Sequence, residues 1–257
     1  MKTLKTIFSL AKLSASEWIR LKFFHIILFF GLLFILFSHL LSSLTFSVQE
    51  RLLYDFGLGS LEVGLVMIAS LIGSHSIHRE IEPKTMFVLL ARPIPRSAIV
   101  VGSWGSILIL STLFMAGFLT SIILTNPAAL NVLDGLLISA FSSFGKALVI
   151  ASVAISFGIL VRPMLALVAS VSYWILCYSI VDVEFFIRKM NSEDLMRAVR
   201  FFKQIIPEFY NYNWKSYFYI QNVPRGEEVF WTFLHSGAWV FLWLFLGCFF
   251  FRRKEIV

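Results

Sequence analysis

Long apolar runs separated by short polar breaks dominate the chain. Six of them can be drawn, at 23–44, 58–77, 98–124, 135–160, 163–181 and 231–251. Each is of the order of 20 residues, the length an α-helix needs to cross a bilayer core. A soluble core of this size would show shorter apolar segments broken by polar faces. The pattern predicts an all-α integral membrane protein forming a single transmembrane domain over residues 1–257.

Three stretches outside the runs have patterns of their own. Over 3–22, Lys5, Ser9, Lys12, Ser16 and Arg20 fall on one helical stripe, with Leu4, Phe8, Ala11, Ala15 and Trp18 beside it. That predicts an amphipathic helix lying in the headgroup plane, its cations toward anionic lipid. Segment 182–230 carries seven acids and seven bases. Within it Asn191 or Ser192 can cap a helix that opens on Glu193 and Asp194, repeats Leu195, Val199, Phe202 and Ile206, and stops at Pro207. Phe209, Tyr210, Tyr212, Trp214, Tyr217, Phe218 and Tyr219 follow. Such aromatic density predicts a cap resting on the membrane surface. The third stretch, 78–97, is a charged island between two apolar runs, with Arg79, Glu80, Glu82, Lys84, Arg92 and Arg96. Charge of that density must face water.

Composition and charge sharpen this picture. The chain is 58% hydrophobic and 14% charged, with 28 phenylalanines, against about a quarter charged in soluble domains. The net charge is +7, and topology accounts for it. With the N-terminus inside, the inner segments hold thirteen Lys and Arg, and the two short outer loops hold one, Arg51. The expectation is therefore an N-in, C-in membrane protein, with no nucleic-acid partner. The first apolar run has no small-residue cleavage site and reads as a retained anchor.

No motif for chemistry emerges. Gly145-Lys146 lacks the glycine spacing of a phosphate-binding loop, so no cofactor is expected on this chain. His75 and His78 are three apart without a third ligand nearby. Cys177 and Cys248 lie in separate apolar runs and are expected to pack rather than pair. Two ionisable residues fall inside spans, Glu62 and Lys146, and intramembrane charges are candidates for a translocation pathway. Glu62 shares a face with Ala69, Gly73 and Ser76; Lys146 shares one with Ser139 and Ser143. Counted from the span starts, Lys146 lies deeper than Glu62, which argues against a direct pair. Ser143, Ala147 and Ala151, and beside them Ala154 and Gly158, form ladders of small residues suited to close helix packing or a dimer contact.

The island REIEPKTMFVLLARPIPRSAIVVG resembles the signature of ABC-2-type transporter permeases. In that family acids and a Gly-Thr or similar pair precede an "lLa.P.sR" run, and a glycine opens the next span. Glu80 and Glu82 supply the acids, Lys84-Thr85 the pair, Leu89 to Arg96 the run and Gly102 the glycine. The family often has glycine where Lys84 stands and lysine where Ser103 stands. Six spans, a basic N-terminal helix, a turn at Arg162-Pro163 and a long outer segment before the last span also match. The resemblance implies a permease that uses ATP and Mg through a separate ATP-binding cassette subunit and has no ATPase site itself. It also implies a second permease copy, and a coupling helix at 78–97. The expected contacts with the ATPase are Glu80, Glu82, Lys84, Thr85, Met86, Phe87, Leu90, Arg92 and Arg96. Apolar anchors with a charged rim suit such an interface, and Pro93 and Pro95 would end the helix. On ATP binding, partner closure would push the island and tilt spans one, two and five. Segment 182–230 is where a periplasmic or extracellular protein would meet the chain.

Two other classes compete. An ion-gradient-driven secondary transporter would use Glu62 and Lys146 as its ion sites, but no inverted repeat is visible. A membrane-embedded assembly factor or enzyme would need a catalytic constellation, and none is found.

Overall fold

A computed structural model describes residues 2–44, 49–81, 95–125, 127–190, 193–214 and 226–253. Among these the protein is all helix. The helices are α1 (Lys2–Arg20), α2 (Lys22–Leu44), α3 (Gln49–Ile81), α4 (Arg96–Thr125), α5 (Leu133–Leu160), α6 (Pro163–Lys189), α7 (Glu193–Ile205) and α8 (Gly226–Arg253), with 3-10 turns at Pro127–Val132 and Phe209–Tyr212. Five are long and apolar enough to cross a membrane: α3, α4, α5, α6 and α8. A sixth crossing results if α1 and α2, bent by 65°, count as one broken span.

The spans run past the ends of their apolar runs. α3 begins at Gln49 rather than near 58, and α6 continues to Lys189 rather than stopping near 181. A helix satisfies its own backbone, so it does not stop where hydrocarbon gives way to water. Apolar pattern marks the slab, not the helix. The tight connection between α5 and α6 does follow the sequence. The Val161 N–H bonds back to the Phe157 carbonyl at 2.9 Å. Pro163 then takes the first position of α6, where its missing N–H costs nothing.

The core lies between α3 and α5. Leu58, Leu61, Leu65, Ile68 and Ala69 of α3 are sealed, as are Ala147, Ile150, Ala151 and Ala154 of α5. Small residues let the two backbones close. A Cβ added at Gly73 would stand 2.7 Å from the Ala154 Cβ, and one at Gly158 would stand 2.8 Å from the Ser74 carbonyl oxygen. The small-residue ladders thus serve packing within one chain. α6 and α8 flank this core and present exposed faces such as Phe186 and Phe241, as lipid-facing helices do.

At one end of the bundle α1 packs on the start of α4, and the Arg96 guanidinium donates to the Phe251 and Arg252 carbonyls at 3.4 and 3.5 Å, closing the C-terminus of α8. At the other end α7 hangs from α6. Lys203 bridges Glu184 at 2.7 Å and Glu208 at 3.2 Å. The hydrogen bond to Glu184 is the main reason the Lys203 ammonium is held above its usual range. Val199 is the buried anchor of α7, while Leu195 and Phe202 of the same stripe stay exposed. Asn191 and Ser192, the expected caps, lie outside the described residues.

Candidate functional site

The two intramembrane charges meet. Lys146 Nζ donates to Glu62 Oε1 at 3.0 Å and to Oε2 at 3.1 Å, and the two side chains are 0% and 2% exposed. This corrects the depth argument. Glu62 follows Gln49, the first residue of α3, by thirteen positions, and Lys146 follows Leu133, the first residue of α5, by thirteen. The charged turns at the start of α3 hid its true origin, so the spans were counted from different heights. Side chains also lean toward their helix N-terminus, so the long lysine arm and the carboxylate lean the same way.

Tyr178 of α6 completes the cluster. Its hydroxyl donates to Glu62 Oε1 at 2.6 Å and accepts from Lys146 Nζ at 2.5 Å. The Ser143 hydroxyl reaches Glu62 Oε2 at 3.4 Å. Three helices are thus joined through one carboxylate. Sequence reasoning missed Tyr178. The usable signal was a tyrosine in the middle of an apolar run, since a buried phenol needs a partner for its O–H.

The aromatic segment after α7 roofs this cluster. Phe209 is fully buried and meets the Tyr178 ring edge-on at 6.3 Å; Tyr212 meets Phe209 the same way at 5.7 Å. The Ser142 hydroxyl donates to the Tyr212 carbonyl, and the Ser139 hydroxyl to the Trp214 carbonyl at 3.5 Å. Phe209, Tyr212 and Trp214 therefore pack into the bundle, not on the membrane surface as their composition suggested; Tyr210 alone of this group points outward. The polar face of α5 explains the difference, because its serines offer donors to carbonyls that hydrocarbon would leave unpaired. Tyr217, Phe218 and Tyr219 lie outside the described residues.

Of the expected ATPase contacts, Glu80 falls in the last turn of α3 and Arg96 opens α4. Glu82, Lys84, Thr85, Met86, Phe87, Leu90 and Arg92 lie outside the described residues. Gly102 has a local role: a Cβ there would stand 3.1 Å from the Leu10 Cβ, so the glycine admits α1 against α4. His75 spends its Nδ1 on Ser74 Oγ at 3.1 Å and the Leu71 carbonyl at 3.0 Å. Among the described residues no three His, Cys, Asp or Glu side chains form a metal-binding group. Cys177 and Cys248 are both free thiols.

Chemically, the arrangement can fasten three helices to one another. An ion pair in a low-dielectric interior is costly to open, because each separated charge would lack solvation. It ties α3, which leads directly into the island, to α5 and α6 and, through Tyr178, to the aromatic roof. No individual curated protein matches the chain. Residues 60–256 match the family model described as ABC-2 family transporter protein.

Proposed function

Since the chain belongs to the ABC-2 family of transporter proteins, a membrane component without an ATPase site of its own, we propose that it is the membrane-spanning subunit of an ATP-driven transporter. A separate ATP-binding subunit seats the 78–97 loop. Two permease copies enclose the path, and the subunit sits N-in, C-in in a bacterial inner membrane. The observation that carries this reading is the continuity of α3. One helix runs from Glu62 to Glu80 in the turn before the island, a distance of about 27 Å at the rise of an α-helix. A push on the island moves Glu62, and with it Lys146 and Tyr178. The stroke reaches α5, α6 and the aromatic roof as one body.

On this reading the Glu62–Lys146 pair transmits force along the translocation pathway instead of lining it. Its near-complete burial within one subunit also weighs against an ion path through these residues. Affinity purification of the full-length chain from native membranes tests the assignment. An ATP-binding subunit should co-purify in near-equal amount, and added ATP should be hydrolysed only by that complex. Saturable micromolar nucleotide binding by the permease alone would overturn it.

A further inference from the structure

The Glu62–Lys146–Tyr178 cluster draws its members from α3, α5 and α6, and α8 takes no part in it. The link from the island to α8 runs through α4. Arg96, one of the expected ATPase contacts, opens α4 directly after the island. Its guanidinium reaches α8, donating to the Phe251 and Arg252 carbonyls at 3.4 and 3.5 Å. Those carbonyls belong to the last turn of α8, where backbone acceptors lack intrahelical donors and a cation is favoured. Beside this bridge the two helices stand apart. Pro95 and Ser97 face Phe245, Cys248 and Phe249 across a cleft of about 740 Å³. One turn earlier α8 is held against α5. The Ser156 hydroxyl donates to the Trp243 carbonyl at 2.7 Å, and a Cβ at Gly247 would stand 3.0 Å from the same oxygen. Phe251 and Arg252 follow Gly247 by about 6–8 Å along the helix axis.

We propose that Arg96 is a positioning residue that carries movement of the island into α8, an inference that rests on the transporter assignment. The island then has two outputs. Its upstream end is α3, which moves the Glu62 cluster. Its downstream end is Arg96, which draws on the last turn of α8. Ser156 and Gly247 hold α8 against α5 just before that turn, so a displaced Arg96 tilts α8 about this contact instead of sliding it. The cleft leaves room for the tilt. The acceptors are backbone carbonyls, so the link depends on the side chain at 96 and not on the side chains of α8.

The test labels Cys248, which lines the cleft, with N-ethylmaleimide in full-length chain carrying Cys177→Ser, and reads the Cys248 peptide by mass spectrometry. In the isolated chain Arg96→Gln should speed labelling roughly fivefold or more, the worth of hydrogen bonds from a charged donor. Losing a nearby cation slows thiol alkylation, so a faster rate reports opening and not charge. Arg252→Gln removes a cation from the same cleft but keeps the carbonyl, and Arg96→Lys keeps a charged donor; neither should label faster than the parent. In the complex with the ATP-binding subunit, ATP with vanadate should change the parent rate roughly threefold or more. Arg96→Gln should lose that response and Arg96→Lys should keep it. An unchanged rate in isolated Arg96→Gln, or a nucleotide response that survives this substitution, would overturn the proposal. A complex that hydrolyses ATP with no response at Cys248 defeats this proposal alone, whereas failure to recover any ATP-binding subunit defeats the transporter assignment and the proposal with it. If Arg96→Gln does not fold, the parent's response to ATP and vanadate decides the matter.

Discussion

Removing one member of the buried ion pair should damage the protein more than removing both. Lys146→Met takes the Lys146 ammonium from Glu62 and leaves the Tyr178 hydroxyl at 2.6 Å and Ser143 at 3.4 Å in place. Both original partners are sealed, so the stranded carboxylate gains nothing from water. Stranding one charge of a buried pair costs about 3–5 kcal/mol. For a chain of this size, about 2–4 °C of melting temperature accompanies each kcal/mol, which gives a fall of roughly 6–20 °C. Glu62→Gln should fall within the same range. The double variant E62Q/K146M removes both charges and should recover at least half of the summed loss, because neutral replacements of buried pairs are often tolerated. Tyr178→Phe gives up two hydrogen bonds to charged groups, worth about 1.5–3 kcal/mol each, and should lose about 3–6 kcal/mol. Thermal unfolding of full-length chain in one detergent, followed by intrinsic fluorescence, reads all four variants. Single variants that melt within 2 °C of the parent, or a double variant whose loss equals the sum, would refute a fastening role for the cluster.

Gly158→Leu should lower stability by about 1–3 kcal/mol or more, since the added Cβ meets the Ser74 backbone oxygen at 2.8 Å, whereas Gly226→Ala, with open space around it, should melt like the parent. A reporter fused after Val257 should behave as cytoplasmic and one inserted near Asn191 as external; a cytoplasmic signal from the second would sink the N-in, C-in arrangement. In reconstituted transport, Lys146→Met should lose more activity than Cys177→Ser, because only the first breaks a contact shared by three helices, and equal activity would return Lys146 to simple packing.

Much of the fold was legible because the bilayer imposes one pattern on each spanning segment. The apolar runs located the helices, and Arg162-Pro163 located the turn between α5 and α6. Helix ends were less legible. The start of α3 carries Glu50, Arg51 and Asp55, which break the apolar pattern without breaking the helix. That misplaced origin concealed the pairing of Glu62 with Lys146. The aromatic roof was hidden for another reason. Aromatic residues suit a membrane interface and a protein interior equally well, and only the serines of α5 that receive the chain's carbonyls decide between them. Tyr178 was missed because a tyrosine in an apolar run carries no periodicity, and Tyr173 stands in the same run. Sequence spacing also could not tell a dimer face from the α3–α5 contact made by Gly73, Ala154 and Gly158.

The most direct measurement concerns the island at the end of α3. Full-length chain carrying Glu80→Lys with Glu82→Lys, and separately Phe87→Ala or Leu90→Ala, should be expressed in native membranes at matched levels and pulled down in detergent. Central apolar anchors of an interface typically cost about 2 kcal/mol or more when truncated, so the ATP-binding subunit should be retained at roughly a thirtieth of the parent level or less. Single changes at the rim, Lys84→Gln or Arg96→Gln, should cost about 0–1 kcal/mol of docking energy and retain most of the partner. Membrane insertion should be unchanged throughout, since the loop remains hydrophilic. Full retention of the ATP-binding subunit by the double reversal and by both truncations would contradict coupling through this loop.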